Sequence, residues 1–236
     1  MKSVIAFLSL FGFLSHAEKK PPDFRECHAG ISAEKEEVFL AKSPHHVFRI
    51  TDTLHLPLAN KREATFRNNP EDGKQFRNHR FCGFIGKLSS YLVRNSYFAS
   101  WGFSLVSRRA GSRLRIVGVP AVSPTASYFA ASNLDLGPAL TPNIIQIGTR
   151  DGNRNRIVLE YAVPVKSSKT MWGPELVEWI DEFSIRIPRV ALVDGVKKSL
   201  RPWIFRNQKG KWKAFEELRV DDKVTLVPIS VGFQNY

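Results

Sequence analysis

Five histidines are the first candidates for acid–base or metal chemistry, and they lie close together in the sequence: His28, His45, His46, His55 and His79. Histidine is the commonest general base in enzymes, so this clustering is compatible with an active site. The sequence has neither the HExxH nor the His-x-His spacing, and His45 and His46 would point to opposite faces of a strand. A zinc site would have to combine two Cys and two His, and its adjacent Cys-His pair is poorly spaced for tetrahedral zinc: Cys27, His28, His79 and Cys82. We therefore predict no metal site and no cofactor.

Glu160 is the candidate catalytic carboxylate, because it lies in the otherwise apolar segment IVLEYAV. A carboxylate that faces a cleft in a β-sheet can act as acid or base in a glycan hydrolase or lyase, with Tyr161 or a histidine as its partner. Strand alternation also allows Glu160 to face water, and this alternative stays open. Asp181 and Glu182 are further candidates, although acidic residues near the start of a predicted helix are typical of a solvated face.

Short catalytic motifs do not identify a reaction. Residues 32–35 match the S-x-x-K pattern of penicillin-binding proteins and β-lactamases, but the companion K-T-G motif is absent. Two fixed letters are expected to match about once by chance in a chain of this length. The sequence also lacks a nucleophile elbow, a P-loop and a dinucleotide-binding glycine motif. An enzymatic function is therefore the less favoured interpretation.

Basic residues are concentrated in three short segments, which carry net charges of +4, +2 and +4 in a chain of formal net charge +13. We name them basic segments 1 (107–115), 2 (149–156) and 3 (206–213). Their cations are Arg108, Arg109, Arg113 and Arg115 in segment 1, Arg150, Arg154 and Arg156 in segment 2, and Arg206, Lys209, Lys211 and Lys213 in segment 3. Each segment coincides with a predicted turn between strands.

Clustered Arg and Lys raise the local concentration of anions, and Arg grips phosphate, sulfate or carboxylate with two parallel hydrogen bonds. We therefore predict an anionic partner, namely a glycan, a lipid head group or an envelope polymer. Trp212 lies between Lys211 and Lys213, as in many glycan-binding surfaces, although alternation would point its ring to the opposite face. The alternative is that charged turns keep the sheet soluble and guard its edges. Two further functions stay open: an envelope glycan-active enzyme, and a structural or assembly protein that binds another protein.

The first 17 residues are typical of a cleavable signal peptide. Lys2 is followed by the apolar segment Val4 to Leu14 and by Ser15-His16-Ala17, which provides small residues at a cleavage site. We therefore expect an exported, soluble protein, periplasmic or secreted, with no later membrane-spanning segment. Export makes nucleic acid an unlikely partner, and in an oxidising compartment Cys27 and Cys82 are expected to form a disulfide.

The remaining sequence predicts a mainly β protein, an antiparallel β-sandwich or a strongly curved sheet. We expect a mixed α/β part over 18–95 and an antiparallel β-rich part over 96–236, together forming one domain. Alternating residues predict a strand from 96 onward, and turn residues at 151–153, 194–195 and 207–210 predict hairpins. Apolar spacing predicts helices over 32–40, 83–95 and 174–182. Two segments, 60–80 and 120–143, are predicted to be irregular.

Overall fold

Antiparallel strands form most of the structure, a computed structural model that describes residues 24–136, 141, 143–163, 171–220 and 223–235. Two helices, α1 (Arg25–Ala29) and α2 (Ala33–Ala41), precede the strands. The first seven strands are β1 (Phe48–Ile50), β2 (Thr53–Pro57), β3 (Glu63–Arg67), β4 (Arg77–Ile85), β5 (Ser90–Tyr97), β6 (Trp101–Ser107) and β7 (Arg113–Ile116). The others are β8 (Ala121–Val122), β9 (Tyr128–Asn133), β10 (Ile144–Asp151), β11 (Arg154–Ala162), β12 (Met171–Pro174), β13 (Glu178–Asp181), β14 (Ser184–Val193), β15 (Val196–Gln208), β16 (Lys211–Val220), β17 (Lys223–Ile229) and β18 (Gln234–Asn235).

Hydrogen bonding arranges the described strands in four antiparallel sheets. The three-stranded sheet has the order β1-β2-β3, and the four-stranded sheet has the order β4-β5-β6-β7. The five-stranded sheet has the order β18-β11-β10-β9-β8. The six-stranded sheet follows the path β12-β14-β15-β16-β17, with β13 also paired to β14. This architecture confirms the prediction of a mainly β, sandwich-like fold with short helices.

The five-stranded sheet is a middle layer with a hydrophobic core on each face. Phe129 of β9 packs in one cluster with Leu56 and Phe103 of the three- and four-stranded sheets. The next residue, Ala130, packs in a second cluster with residues of the six-stranded sheet such as Phe205. Because successive side chains of a strand point to opposite faces, alternation alone divides β9 between the two cores.

The predicted hairpins at 151–153, 194–195 and 207–210 are confirmed, and the backbone angles of their turns explain why the sequence predicts them. Asp194 and Gly195 have φ angles of 50° and 77°, and Lys209 and Gly210 have φ angles of 54° and 84°. Two successive positive φ angles match the twist of the flanking strands, and glycine adopts them without steric cost. Gly152, with a φ of 56°, makes the same contribution between β10 and β11.

Of the three predicted helices, the first is confirmed as α2. Its N-cap residue is Ser32, whose side chain accepts a hydrogen bond from the Lys35 backbone at 3.3 Å. A serine that accepts from the residue three positions later satisfies a backbone donor of the first helical turn. This capping role accounts for the S-x-x-K match without any catalytic chemistry.

The helix predicted over 83–95 is wrong. The segment contains the end of β4, a 3₁₀ turn at Gly86–Leu88 and most of β5. Tyr91, Leu92 and Val93 are all fully buried, because the four-stranded sheet is covered on both faces. A strand buried on both faces loses the alternation that identifies a half-buried strand, and its apolar run matches helical spacing equally well.

The helix predicted over 174–182 is also wrong, since β12 ends at Pro174 and β13 covers half of the remainder. Pairing of β13 with β14, and a 3.0 Å hydrogen bond from the Trp179 indole to the Ala121 carbonyl, hold this segment extended. These tertiary contacts override the helix-start signal of a proline followed by glutamate.

Three smaller expectations need correction. The predicted irregular segments 60–80 and 120–143 contain β3, the start of β4, β8 and β9. The strand predicted from residue 96 is interrupted by the turn between β5 and β6, where the Tyr97 backbone donates to the Ser100 carbonyl at 2.7 Å. Polar composition concealed β3 and the start of β4, the prolines of 120–143 concealed β8 and β9, and the apolar spacing continued across the turn.

The predicted disulfide between Cys27 and Cys82 is present and joins α1 to β4 across a sequence separation of 55. Residues 1–17, predicted to be a signal peptide, lie outside the described residues. Among the helices that are described, none has the length and apolar character needed to cross a membrane.

Glu36 connects α2 to the sheets beneath it. Its carboxylate is 2% exposed and accepts two hydrogen bonds from Arg49, at 2.7 and 3.2 Å. It also accepts from Arg80 and from the Phe81 backbone, each at 2.7 Å. A buried carboxylate with this many charged partners fixes the helix on β1 and β4.

Candidate functional site

Basic segments 1 and 2 lie side by side at one end of the molecule. The Ser107 hydroxyl donates to the Asn153 carbonyl at 2.6 Å. Next to it, Nη1 of Arg109 donates to the Asn153 side-chain oxygen at 3.4 Å. The turn between β6 and β7 therefore contacts the turn between β10 and β11.

Basic segment 3 lies beyond segment 2 at the same end, and residues 127–128 connect the two. The Ser127 carbonyl accepts from the Thr149 hydroxyl at 2.9 Å and from the Arg150 backbone at 3.3 Å. The adjacent Tyr128 hydroxyl accepts from the Asn207 amide at 3.3 Å. The three turns are thus linked in one region of the molecule, which we call the basic end (107–115, 149–156 and 206–213).

Five of the eleven predicted basic residues at this end are exposed and form neither an ion pair nor a contact with an aromatic ring within the described part of the chain: Arg109, Arg154, Lys209, Lys211 and Lys213. Trp212 is 8% exposed, and its ring packs edge-to-face on Tyr128 with centroids 5.6 Å apart. Alternation along β16 therefore puts the tryptophan in the core and its two lysines on the surface.

The other predicted cations of the basic segments have partners within the protein. Arg113 donates to the Thr65 carbonyl at 2.7 Å and lies 4.2 Å from the Phe66 ring. Arg206 donates to the Ser184 hydroxyl at 3.1 Å, and Arg150 donates to the Gly152 carbonyl at 3.1 Å. The remaining three contact Tyr91, Tyr97 and Asp151 respectively: Arg108, Arg115 and Arg156.

Sequence reasoning missed the cations that neighbouring turns add to the basic end. The turn between β2 and β3 abuts segment 1, because the Ala59 backbone donates to the Arg108 carbonyl at 2.8 Å. This turn exposes Lys61 and Arg62. Lys87 is exposed nearby and donates to the Pro124 carbonyl at 3.4 Å. These residues are isolated in the sequence, so only the strand order could reveal that they join the cluster.

Glu160 faces a cleft of about 600 Å³ between β6–β7 and β10–β11. Its carboxylate accepts a 2.7 Å hydrogen bond from the Gln146 amide, whose oxygen in turn accepts from the Val117 backbone at 2.9 Å. Trp101, Arg115 and Arg156 also line the cleft. Of the two orientations that alternation allows, the structure therefore has Glu160 facing a cleft rather than open water.

The described lining of this cleft does not pair Glu160 with a second acid–base group. Tyr161 points into the core of the six-stranded sheet, where its ring lies 5.6 Å from that of Trp203. Glu182 lies outside the cleft and binds Ser123 and Thr125. Although burial raises the pKa of Glu182, the hydrogen bonds from Thr125 and Ser123 hold it below its ordinary value. The cleft can bind a polar ligand by hydrogen bonds and stacking on Trp101, but its described lining does not contain the paired carboxylates of a glycosidase.

The five histidines do not converge on one site. The His28 ring lies 5.2 Å from that of Trp101, and burial, together with the nearby Arg94, lowers its pKa. The His45 ring packs on Phe84 at 4.3 Å, and His55 lies 2.8 Å from the Glu63 carboxylate. Across the residues that the structure describes, no three His, Cys, Asp or Glu side chains are grouped so as to hold a metal ion. Comparison with known protein families, curated proteins and solved structures finds no match for this chain.

Proposed function

We propose that this protein is an exported binding protein, and that its basic end contacts an extended anionic polymer of the cell envelope or extracellular space. The observation that carries this proposal is the linkage of three turns that contain most of the net charge of the sequence: segments 1 and 2 are in direct contact, and residues 127–128 connect segments 2 and 3. Unpaired cations gathered on one surface attract a polyanion from a distance and hold it through many weak contacts. The disulfide is typical of proteins that leave the reducing cytosol, and it supports export.

The basic end suits a polymer better than a small ion. The exposed cations lie on separate turns of different sheets, and in the described structure they do not surround a common cavity. An isolated exposed ion pair contributes only about 0–1 kcal/mol, so useful affinity requires several simultaneous contacts. A polymer with repeated negative charges provides them.

The cleft beside Glu160 favours an acidic glycan among such polymers. Arg115 and Arg156 belong to basic segments 1 and 2 and also line the cleft, so the two surfaces are contiguous. Trp101 offers an apolar face for a sugar ring, and the Gln146–Glu160 pair offers hydrogen-bond partners for hydroxyl groups.

An anionic lipid surface is the second candidate, and one specific observation favours it. Phe183 is 54% exposed, and its carbonyl accepts a hydrogen bond from the Asn207 backbone beside the turn of segment 3. An exposed aromatic ring next to cations is suited to the interface of a bilayer.

The experiment measures binding of the purified protein to dextran sulfate, polyglutamate, neutral dextran and vesicles with and without anionic lipid, over a series of salt concentrations. One variant, R109Q/R154Q/K211Q/K213Q, removes four exposed cations of the basic end. A matched variant, K42Q/K197Q/K198Q/K223Q, removes four exposed lysines elsewhere. We expect salt-sensitive binding to the polyanions, weakened at least tenfold only in the first variant.

Equal affinities of the two variants, or no binding to any polyanion, would show that the charge serves solubility and not recognition. Binding to anionic vesicles alone, lost in a F183S variant, would favour the lipid surface over the polymer.

A further inference from the structure

A second cationic pocket, of about 620 Å³, lies against the face of the four-stranded sheet that β3 covers. Its walls include Arg67 of β3, Lys74 of a 3₁₀ turn between β3 and β4 (Gly73–Gln75), and Arg77 of β4. Arg113 of β7 and Tyr97 of β5 complete the side walls. None of these residues lines the Glu160 cleft, and only Arg113 belongs to a basic segment.

The described lining of this pocket contains four cations and no carboxylate. Arg67 is paired with Asp52 at 3.0 Å, but Lys74 and Arg77 have no ion-pair partner in the part of the chain that the structure describes. Arg113 is held in place by the Thr65 carbonyl and by the Phe66 ring. A fixed guanidinium loses little conformational freedom when it binds a ligand, and the unpaired charges give the described lining an excess of positive charge.

His79 forms the buried part of the pocket, with 8% of its surface exposed. Its Nδ1 lies 2.8 Å from the side-chain oxygen of Asn95, and the Asn95 amide nitrogen donates to the Ser104 hydroxyl at 2.9 Å. Because the Asn95 oxygen can only accept, Nδ1 is the donor, and in the neutral ring Nε2 carries the free lone pair. Within the described residues Nε2 makes no hydrogen bond.

We propose that this pocket binds a tetrahedral oxyanion, the sulfate or phosphate group of a larger ligand. Arg77, Lys74 and Arg113 project from three different elements, so their donors reach an anion from several directions. A planar carboxylate is satisfied by one guanidinium fork, whereas a group with three or four oxygens can use all of these donors together with His79. This pocket shares only Arg113 with the basic end, and because the basic-end variant leaves Arg113 unchanged the two assignments can fail separately.

Binding of the anion is coupled to protonation of His79. In the free protein burial lowers the pKa of His79, although the hydrogen bond with Asn95 opposes this, and the nearby arginines lower it further. A bound dianion would favour the imidazolium form and raise this pKa, so the protein takes up a proton on binding. Affinity therefore rises as the pH falls through the bound-state pKa of His79. The charged and titratable groups around this ring, on β1, β3, the 3₁₀ turn, β4, β5 and β7, are Arg49, Arg67, Lys74, Arg77, Tyr97 and Arg113.

Sulfate is the first probe, because it does not titrate near neutral pH. Calorimetry would measure sulfate binding to the full protein at constant ionic strength with chloride as the balancing anion, and acetate and phenyl phosphate would be compared with it. We expect saturable binding of sulfate and of the phosphate ester, but not of acetate. K74Q and R77Q are each expected to weaken binding about tenfold, because a hydrogen bond to a charged group is lost. The matched variant K197Q/K198Q should bind normally, since both lysines are exposed and outside the pocket.

Two further measurements make the outcome decisive. The ring signals of His79, followed by NMR in the unaltered protein, should show a higher pKa in the presence of sulfate, and no substitution is needed to see this. The basic-end variant R109Q/R154Q/K211Q/K213Q should keep its sulfate affinity even if it loses polyanion binding. Absence of saturable sulfate binding, an unchanged His79 pKa, or an equal loss of affinity in K197Q/K198Q would overturn the proposal.

Discussion

Replacement of Glu36 by glutamine tests whether the buried ionic cluster fixes α2 and the strand that carries His79. The carboxylate accepts four hydrogen bonds, three of them from arginine nitrogens, and it is the only acid that contacts Arg49 and Arg80 in the described structure. Arg49 also donates to the His79 carbonyl at 2.6 Å. Glutamine preserves the shape of the side chain, but it removes the negative charge and turns an NH₂ group towards donors.

The expected loss follows from the burial of the three groups. Breaking a fully buried ion pair costs about 3–5 kcal/mol. Arg49 and Arg80 remain 14% and 22% exposed, so water relieves part of the uncompensated charge. We therefore expect E36Q to lower the free energy of unfolding by about 3 kcal/mol, near the lower end of this range.

Urea unfolding with the disulfide intact measures this change, and an unchanged dependence on urea concentration would show that the unfolding transition is comparable. The control is E37Q on the same helix, where the side chain is exposed and a change below about 0.5 kcal/mol is expected. If E36Q and E37Q were equally stable, the cluster would contribute no net stability. If E36Q folded and bound sulfate with normal affinity, the ion pair between Glu36 and Arg49 would not be needed to position β4 at the pocket.

Three other perturbations probe the disulfide, the middle sheet and the histidines. The double substitution C27S/C82S should lower stability by about 4 kcal/mol for a separation of 55 residues, and equal melting of the two proteins would contradict this. In G148A the new Cβ would lie 2.0 Å from Cζ of Phe129, so thermal unfolding should show a loss of about 3 kcal/mol unless Phe129 finds another position. Unfolding should also be easier at pH 5 than at pH 7. The pKa values of His28, His45 and His79 lie below 6.5 in the folded protein. The stability that their neutral rings contribute is therefore complete above pH 6.5, and it is lost as the pH falls through the pKa values of the folded state.

Local chemistry made the hairpins predictable. Asp-Gly and Lys-Gly turns require positive φ angles that few residues adopt, so their positions are readable without knowledge of the fold. The cap of α2 by Ser32 is equally local. Residues 83–95 could not be assigned this way, because burial of both sheet faces depends on partners that are distant in sequence.

The candidate sites show the same division. The charge of the three basic segments is a property of the sequence, whereas their proximity depends on how the four-, five- and six-stranded sheets pack together. Three of the four cations that line the cationic pocket lie in 60–80, which the sequence predicted to be irregular: Arg67, Lys74 and Arg77. Without the strands of this segment, the sequence did not predict that they line one pocket. Pairing of His79 with Asn95 follows from the register of β4 against β5, which the incorrect helix over 83–95 excluded.

The geometry also changes how much of the predicted charge is available to a polyanion, and salt dependence measures this directly. For a partner as densely charged as DNA, each contact with a cation adds about 0.9 to the slope of log affinity against log salt. If all eleven cations of the basic segments and also Lys61 and Arg62 made such contacts, the slope would be about 12. The structure leaves five of the eleven exposed with neither an ion pair nor an aromatic contact, again with Lys61 and Arg62, which gives a slope of at most about 6. Binding to dextran sulfate between low and moderate salt distinguishes these values. A slope near 12 would mean that the arginines held by Thr65, Gly152 and Ser184 leave these partners on binding, and a slope near 6 would mean that their internal contacts persist.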